Sequence, residues 1–311
     1  MDRTFIVRGI KGMDICFVIL HYMAYEMTKE CIDTLLGVFE GKKFHIAVID
    51  NGSANETGEK LKEQYSDNKN VTVLMNKENL GFAKGNNVGY KYVKERFKPK
   101  YIVVMNNDVL IKDRYFIEKI QKIDETFEFA VLGPDILNPY YKCHQNPLRK
   151  KPITVQEVKR RIVKFTLKIK YAHVCSVLSF IRNTVFGVPH ISRTVEEYGV
   201  PQCDVVLNGA CLILSTRFID NRDECFNPQT FLYGEEHIFY HECVSKKLKM
   251  VYSPEVSVEH YEHVSTDASF KSNYEKYITK NLWRKESAMI MLRALEQRRF
   301  EKNDIRCYTD L

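Results

Sequence analysis

The sequence predicts an α/β fold: a mostly parallel sheet flanked by helices, with a helical basic insertion and a C-terminal helical tail. Three observations predict it. From Asp14 to Pro134, short apolar runs alternate with amphipathic stretches, the pattern of strand–helix units over a parallel sheet. Beyond Pro139 the chain turns basic and Pro-punctuated, with Pro139, Pro147 and Pro152 opening this stretch and Pro189 and Pro201 closing it. From about residue 273 the composition is that of a helix.

The elements follow in order. ICFVIL (15–20) reads as a buried strand, and the helix after it carries Cys31, Leu35, Leu36 and Phe39 on one face. FHIAVID (44–50) is the next strand, followed by a polar helix around 55–65. VTVLM (71–75), a helix near 82–95 and YIVVMN (101–106) continue the alternation, giving four strands before residue 110. A helix at 114–125 leads to a fifth apolar run, FAVLG (129–133). In the insertion, Val155, Val158, Ile162, Phe165 and Ile169 keep helical spacing with Lys159, Arg160, Arg161, Lys164 and Lys168 between them, which makes a basic amphipathic helix. VVLNGACLILS (205–215) returns to strand composition, and the acidic FLYGEEHIFYHEC, the strand-like MVYSP (250–254) and the helical tail complete the chain.

Composition narrows the function classes. With 311 residues, 44% hydrophobic and 28% charged, the chain can bury a sizeable core, which excludes disorder as its main state. No window reaches the roughly 18 uncharged apolar residues that a membrane span needs. Charges at Asp2, Arg3, Arg8, Lys11 and Asp14 interrupt the apolar stretch of a secretory signal, so the expected location is the cytoplasm. Nine cysteines without a CxxC pair read as reduced, mostly core residues. The net charge of +7 is local: residues 149–182 hold ten Lys or Arg against Glu157 alone, leaving 37 bases and 39 acids elsewhere.

Chemistry concentrates at strand ends. Asp50 and Asn51 close the second strand, where open α/β sheets bind ligands. Asp50 there either accepts from the ring N–H of a nucleobase or caps a helix, and Asn51-Gly52 would alternatively make a hairpin turn. NLGFAKGNNVGY (79–90) places Gly81, Gly85 and Gly89 in a helix that each disfavours by up to about 1 kcal/mol, so a ligand or neighbouring backbone approaches closely. MNNDV (105–109) presents Asp108 beyond the fourth strand, as a ligand for Mg²⁺ or Mn²⁺ shared with a diphosphate or as an Asx turn. Glu235 and Glu236 open a helix, as a general base or as dipole-stabilising surface acids. No pair among His237, His241, His260 and His263 fits a zinc HExxH motif.

Together these segments resemble family 2 glycosyltransferases with the GT-A fold, a Rossmann-like α/β architecture, in the subgroup of bacterial rhamnosyl- and other polysaccharide-assembling transferases. The resemblance spans about 14–135 and 203–285. VIDNGS, ENLGFAKGNNVGY, the NND at 106–108, LNGACLILS and YGEEHIF carry it, continued by His260 and by a Tyr277–Lys280–Asn281 element. Two positions depart from the family pattern: Ile238 replaces an acid and Glu242 an arginine.

The resemblance implies a nucleotide-sugar-binding half (1–138), the basic helical insertion (139–202), an acceptor-binding half (203–270) and a C-terminal helical region (271–311). It implies donor contacts at Asp50, Asn51, Asn79, Gly81, Lys84, Asn86 and Asn107, and acceptor contacts at Asn208, Gly209 and Ala210. Mn²⁺ or Mg²⁺ would sit on Asp108 and His260, although His260 also reads as a hydrogen-bonded structural histidine. Glu236 is the family's base position, with Glu235 as the other candidate. The implied reaction is inverting transfer of a sugar from a nucleoside-diphosphate donor to a saccharide or lipid-linked saccharide, in cell-surface polysaccharide synthesis. The alternatives are a metal-dependent nucleotidyltransferase and a nucleic-acid-binding protein that uses the basic insertion. A nucleic-acid partner is not expected, because the basic run lacks interleaved surface aromatics and a known motif. The stripe Val155–Ile169 and its basic surround are expected to lie on the inner face of an anionic membrane, holding the enzyme there peripherally. Packing against the enzyme, or against a second subunit in a homodimer, is the competing reading.

Overall fold

The computed structural model describes residues 13–186, 198–262, 270 and 272–309, with side chains described up to 181 in the first stretch and up to 297 in the last. Its centre is one sheet in the order β3-β2-β1-β4-β9-β6-β10-β5. β1 (Ile15–His21), β2 (Phe44–Asp50), β3 (Val71–Met75) and β4 (Tyr101–Asn106) pair in parallel, so the Asn51-Gly52 turn leads into a helix rather than a hairpin. β9 (Cys211–Ser215) enters antiparallel between β4 and β6 (Val131–Asn138), and β10 (Met250–His260) lies parallel to β6. The two-residue strands β5 (Val109–Leu110), β7 (Cys143–His144) and β8 (Gln202–Cys203) pair along β10 and β6.

The central strands β1, β2, β4 and β9 are buried on both faces, and their period-2 alternation divides the core into two layers. Ile15, Phe17 and Ile19, with Phe44, Ile46 and Val48, face α1 (Tyr25–Val38), α2 (Thr57–Gln64) and α4 (Phe116–Phe127). Cys16, Val18, Ala47 and Ile49 face α3 (Gly81–Phe97), the short α7 (Thr216–Ile219) and α8 (Glu235–Ser245). Each fully buried Phe or Ile contributes roughly 1.5–3 kcal/mol relative to exposure, so the Phe17, Phe39, Phe44 and Phe116 cluster is a main anchor of the first layer. Eight cysteines with described side chains are free, and five of them lie in these layers.

The basic insertion is a pair of helices, α5 (Val155–Lys170) and α6 (Ala172–Phe186), against the long α9 (Asn273–Thr309). α5 starts at a capping box: Thr154 accepts from the Glu157 amide at 3.2 Å and the Glu157 carboxylate accepts from the Thr154 amide at 2.8 Å. Its apolar stripe does not face outward. Val158 is 1% exposed, and with Ile162 it packs on Ala288, Met291 and Leu295 of α9. This corrects the expectation that the Val155–Ile169 stripe is the lipid-facing surface: a third small core between α5, α9 and α8 takes it up. Ile238, a departure from the family pattern, is 1% exposed in that core. Glu242, the other, pairs with buried Arg222 at 2.6 Å and accepts from the Asn227 amide at 2.7 Å.

Candidate active site

The site lies where β1, β2 and β4 end, β9 begins and β10 finishes. Register places Asp108 beside His260 although 152 positions separate them: β5 pairs antiparallel with the end of β10, His260 opposite Val109, and the Tyr261 amide donates to the Asp108 carbonyl at 3.0 Å. His260 Nε2 then lies 3.3 Å from Asp108 Oδ1, both side chains about nine-tenths buried. His260 Nδ1 lies 2.8 Å from Gln145 Oε1, which leaves Nε2 turned to the Asp108 carboxylate. Asp108 Oδ1 has no hydrogen-bond partner among the described residues. An imidazole nitrogen beside a buried carboxylate oxygen without a hydrogen-bond partner is a donor pair that suits a divalent cation, with Gln145 orienting the imidazole from behind. No group of three or more His, Cys, Asp or Glu side chains suited to a metal occurs among the described residues, so remaining ligands would come from a diphosphate or water.

Behind this pair runs a buried polar chain. Asn107 donates to Thr28 Oγ1 at 2.9 Å, Thr28 meets His21 Nδ1 at 2.7 Å, and His21 Nε2 meets Thr57 Oγ1 at 3.0 Å and stands 3.8 Å from Asp50. Burial pulls the His21 pKa down to about 4, and burial raises that of Asp50 against the opposing Ser53 hydrogen bonds. His21 is therefore neutral at pH 7, and its contact with Asp50 is not an ion pair. Gly58 packs against Asp50, where a methyl would lie 2.6 Å from Oδ2. Asn107 is thus committed to Thr28, and Asp50 sits 2% exposed at the end of β2.

At the glycine-rich helix, where a ligand or a neighbouring backbone was expected to approach closely, protein atoms crowd the glycines. Asn51 donates to Asn79 Oδ1 at 2.9 Å and to the Gly81 carbonyl at 3.2 Å, and accepts from the Asn76 side chain and the Leu80 amide at 3.1 Å each. Its side-chain amide is fully used in pinning the 76–81 loop to β2. Gly81 has φ +78°, and a methyl there would lie 2.7 Å from the Phe231 ring, so backbone and not ligand demands this glycine. Asn86 donates to Phe82 O inside the helix while its Oδ1 lacks a partner among the described residues, and Lys84 is exposed on the first turn. Asn87, which no motif reading selected for this, clamps α3 to the 226 segment through two bonds to the Phe226 backbone.

Opposite stands the acceptor side. The Asn106 amide donates to the Ala210 carbonyl at 2.9 Å, joining NND to NGA. Asn208 is held by Asn146 and by the Gln145 carbonyl, and its own Oδ1 accepts from the Ala210 amide at 3.0 Å. Gln145 therefore holds both the NGA loop and His260, a link between distant segments that sequence spacing does not reveal. A methyl on Gly209 would stand 3.4 Å from Glu236 Cγ and Oε1, so the carboxylate of Glu236 lies over this glycine. Glu235 is 6% exposed with Oε1 unpartnered among the described residues, whereas Glu236 is half-buried. Burial raises both carboxyls above the ordinary glutamate range; the Glu236 charge adds to the rise at Glu235, and Arg161 opposes it at Glu236. A cleft of about 170 Å³ lined by Arg161, Phe165, Tyr233, His237 and Arg284 opens beside Glu236. Its Arg161 comes from the insertion and its Arg284 from α9, where it lies 4.5 Å over the Tyr233 ring. Neither arginine stood in any motif, because the cleft exists only once α5 packs on α9.

The family described as glycosyl transferase family 2 matches residues 16–187, more than half of the chain. The low-salt glycan biosynthesis hexosyltransferase Agl10 of Haloferax volcanii is 25% identical over 137 residues, covering 44% of this chain and 41% of that protein. The chain thus matches less than half the length of this curated relative. Among solved structures, S. aureus TarS 1-349 in complex with UDP-GlcNAc is 12% identical with a TM-score of 0.52, covering 93% of this chain and 73% of the other. Mannosyltransferase PcManGT from Pyrobaculum calidifontis, in complex with GDP-Man and Mn²⁺, is 10% identical with a TM-score of 0.50, covering 92% and 76%. At these identities the structural likeness shows the shared GT-A fold.

Proposed function

The chain belongs to glycosyl transferase family 2, and from that membership and the site's geometry we propose an inverting enzyme that transfers a hexose from a nucleoside-diphosphate donor to a hydroxyl of a saccharide or lipid-linked saccharide acceptor. Its context is cell-surface polysaccharide synthesis at the cytoplasmic face of a membrane. The observation that carries the reading is the buried pair Asp108–His260, with Oδ1 and Nε2 facing each other across 3.3 Å, joined through NND and NGA to Glu236. The UDP-GlcNAc and GDP-Man complexes of the structural neighbours support the class of donor.

Direct displacement at the anomeric carbon makes two demands. Glu236 meets the first by accepting the acceptor hydroxyl's proton as that oxygen attacks; its raised pKa makes it a stronger base than an ordinary carboxylate. The second is the charge that develops on the departing diphosphate. Asp108 and His260 would hold Mn²⁺ or Mg²⁺, which supplies Lewis-acid stabilisation of the phosphate oxygens. In this reading Asp50 would take the nucleobase, and Lys84, exposed on the first turn of α3, would meet a phosphate. Inversion follows when no enzyme carboxylate attacks the sugar, and the proposed roles leave none to do so.

The deciding experiment is turnover of UDP-, dTDP- and GDP-sugars with and without Mn²⁺. Release of nucleoside diphosphate coupled to acceptor glycosylation, abolished by EDTA, supports the proposal. Turnover that persists undiminished in EDTA sinks the metal part of it, and failure of every donor sinks the whole.

A further inference from the structure

The insertion has a second apolar face, distinct from the stripe that packs on α9. Along α5 and its C-cap, Arg160, the neighbours Val163 and Lys164, Leu167 and Tyr171 stand at i, i+3, i+4, i+7 and i+11, which places them on one side of the helix, opposite Val158 and Ile162. That side is open: Val163 is 59%, Leu167 50% and Tyr171 52% exposed. α6 repeats the device with Val174, Val177, Leu178 and Ile181, a complete i, i+3, i+4, i+7 stripe exposed at 61, 57, 60 and 51%. Among the described residues nothing covers either row. Scattered exposed leucines need no explanation, but eight large apolar side chains exposed within the nineteen positions 163–181 are a concentration of the kind that marks an interaction surface.

We infer that this α5–α6 face docks on an anionic lipid surface. Charge selects the occupant. Arg160, Lys164 and Lys170 are exposed among the apolar residues, and the one acid in 149–182, Glu157, is engaged by Arg149 at 2.8 Å and by the Thr154 cap. A second copy docking by the same patch would bring Arg160 and Lys164 against their own counterparts, which like-charge repulsion opposes. Neither helix is long and apolar enough to cross a membrane, so the face lies in the headgroup region instead of spanning. The inference deepens the proposed lipid-linked acceptor by naming the surface that meets the lipid, and the binding it predicts needs neither donor nor catalysis.

Flotation of the full chain with vesicles tests it. The protein should float with phosphatidylcholine vesicles containing phosphatidylglycerol and remain in solution with phosphatidylcholine alone, and rising salt should weaken the binding. Each basic residue near an anionic surface carries about a fivefold change in partitioning, so Arg160→Glu with Lys164→Glu should lower it by about twenty-five-fold or more. Val174→Ser, Val177→Ser, Leu178→Ser and Ile181→Ser together, which alter no charge, should abolish flotation. Both variants should keep the wild-type circular dichroism spectrum and transfer to a soluble acceptor, since none of these residues lines the active site. No flotation of the wild type at low salt overturns the inference, as does flotation that both variants retain, or a dimer in light scattering that the serine variant dissolves. Loss of sugar transfer in the wild type with flotation intact would strike the proposed activity and leave the docking face standing.

Discussion

At the scale of single residues, the Asp108–His260 pair is the most exacting feature, because a carboxylate oxygen with its hydrogen-bonding capacity unfilled is costly to bury unless something occupies it. Replacing Asp108 by Asn keeps the shape and removes the charge. We expect kcat to fall by about 10² to 10³, the size of loss seen when a group stabilising developing charge is removed, with the fold unchanged by circular dichroism. An Asp108→Asn enzyme of wild-type kcat would refute the assignment. The two glutamates divide differently. Glu236→Gln should cost about 10² to 10⁴ in transfer while donor binding survives, and Glu235→Gln should cost less, because Glu236 lies over Gly209. Greater damage from Glu235→Gln would exchange the roles. Glu235 has its own signature in stability. Its pKa is raised in the fold by burial and by the Glu236 charge, so the native state holds the proton more tightly than the unfolded chain. Its contribution is complete below the ordinary glutamate range and is lost as pH rises toward the raised value. Glu235→Gln should therefore melt higher than wild type at neutral pH, with the difference vanishing in acid. Melting curves giving a constant difference across that window would contradict the shift.

Among the elements, α3 shows how a motif's glycines serve packing. Gly89→Ala gains up to about 1 kcal/mol of helix propensity, but the new methyl would meet Ile49 Cδ1 and lie 2.6 Å from Val18 Cγ1. Overpacking a close-packed layer costs about 1–3 kcal/mol, so the clash should win and denaturant titration should show a net loss of stability. A stabilised Gly89→Ala protein would mean that α3 stands further from the sheet. The same helix marks what was legible in the sequence. The parallel strands β1 to β4 announce themselves because strands buried on both faces read as unbroken apolar runs, and α1 and α3 because their faces repeat at 3.6 residues. The placement of β9 between β4 and β6 and the pairing of β5 with β10 were not legible: a five-residue and a two-residue strand carry no signal of partner or direction. For the same reason Gln145, which joins His260 to Asn208, could not be selected beforehand. The stripe on α5 was legible as apolar, but periodicity gives a face and not the surface it meets; α9, more than a hundred positions on, decided that.

In the whole molecule, the proposed donor contacts and the proposed cation ligands come from separate segments brought together by one sheet, and this has a thermodynamic consequence. Asp108 and His260 offer two protein ligands, short of the coordination that Mn²⁺ or Mg²⁺ requires, so the cation alone should bind weakly. A nucleoside diphosphate alone would place its charge beside the Asp108 carboxylate and should also bind weakly. Together each supplies what the other lacks, and a ligand held at 100 times its dissociation constant stabilises the native state by roughly 2.7 kcal/mol. For a chain of this size that amounts to several degrees in melting temperature, less per kcal/mol than in a small domain. Mn²⁺ and the correct nucleotide should accordingly raise the melting temperature by more than the sum of their separate shifts, and the excess should vanish in Asp108→Asn. Additive shifts in the wild type would place the cation away from the diphosphate, and an excess that survives Asp108→Asn would place it on other residues. Because the measurement requires no acceptor, it probes the donor side independently of Glu236, and comparing UDP, dTDP and GDP in the same series identifies the base that the proposed contact at Asp50 accepts.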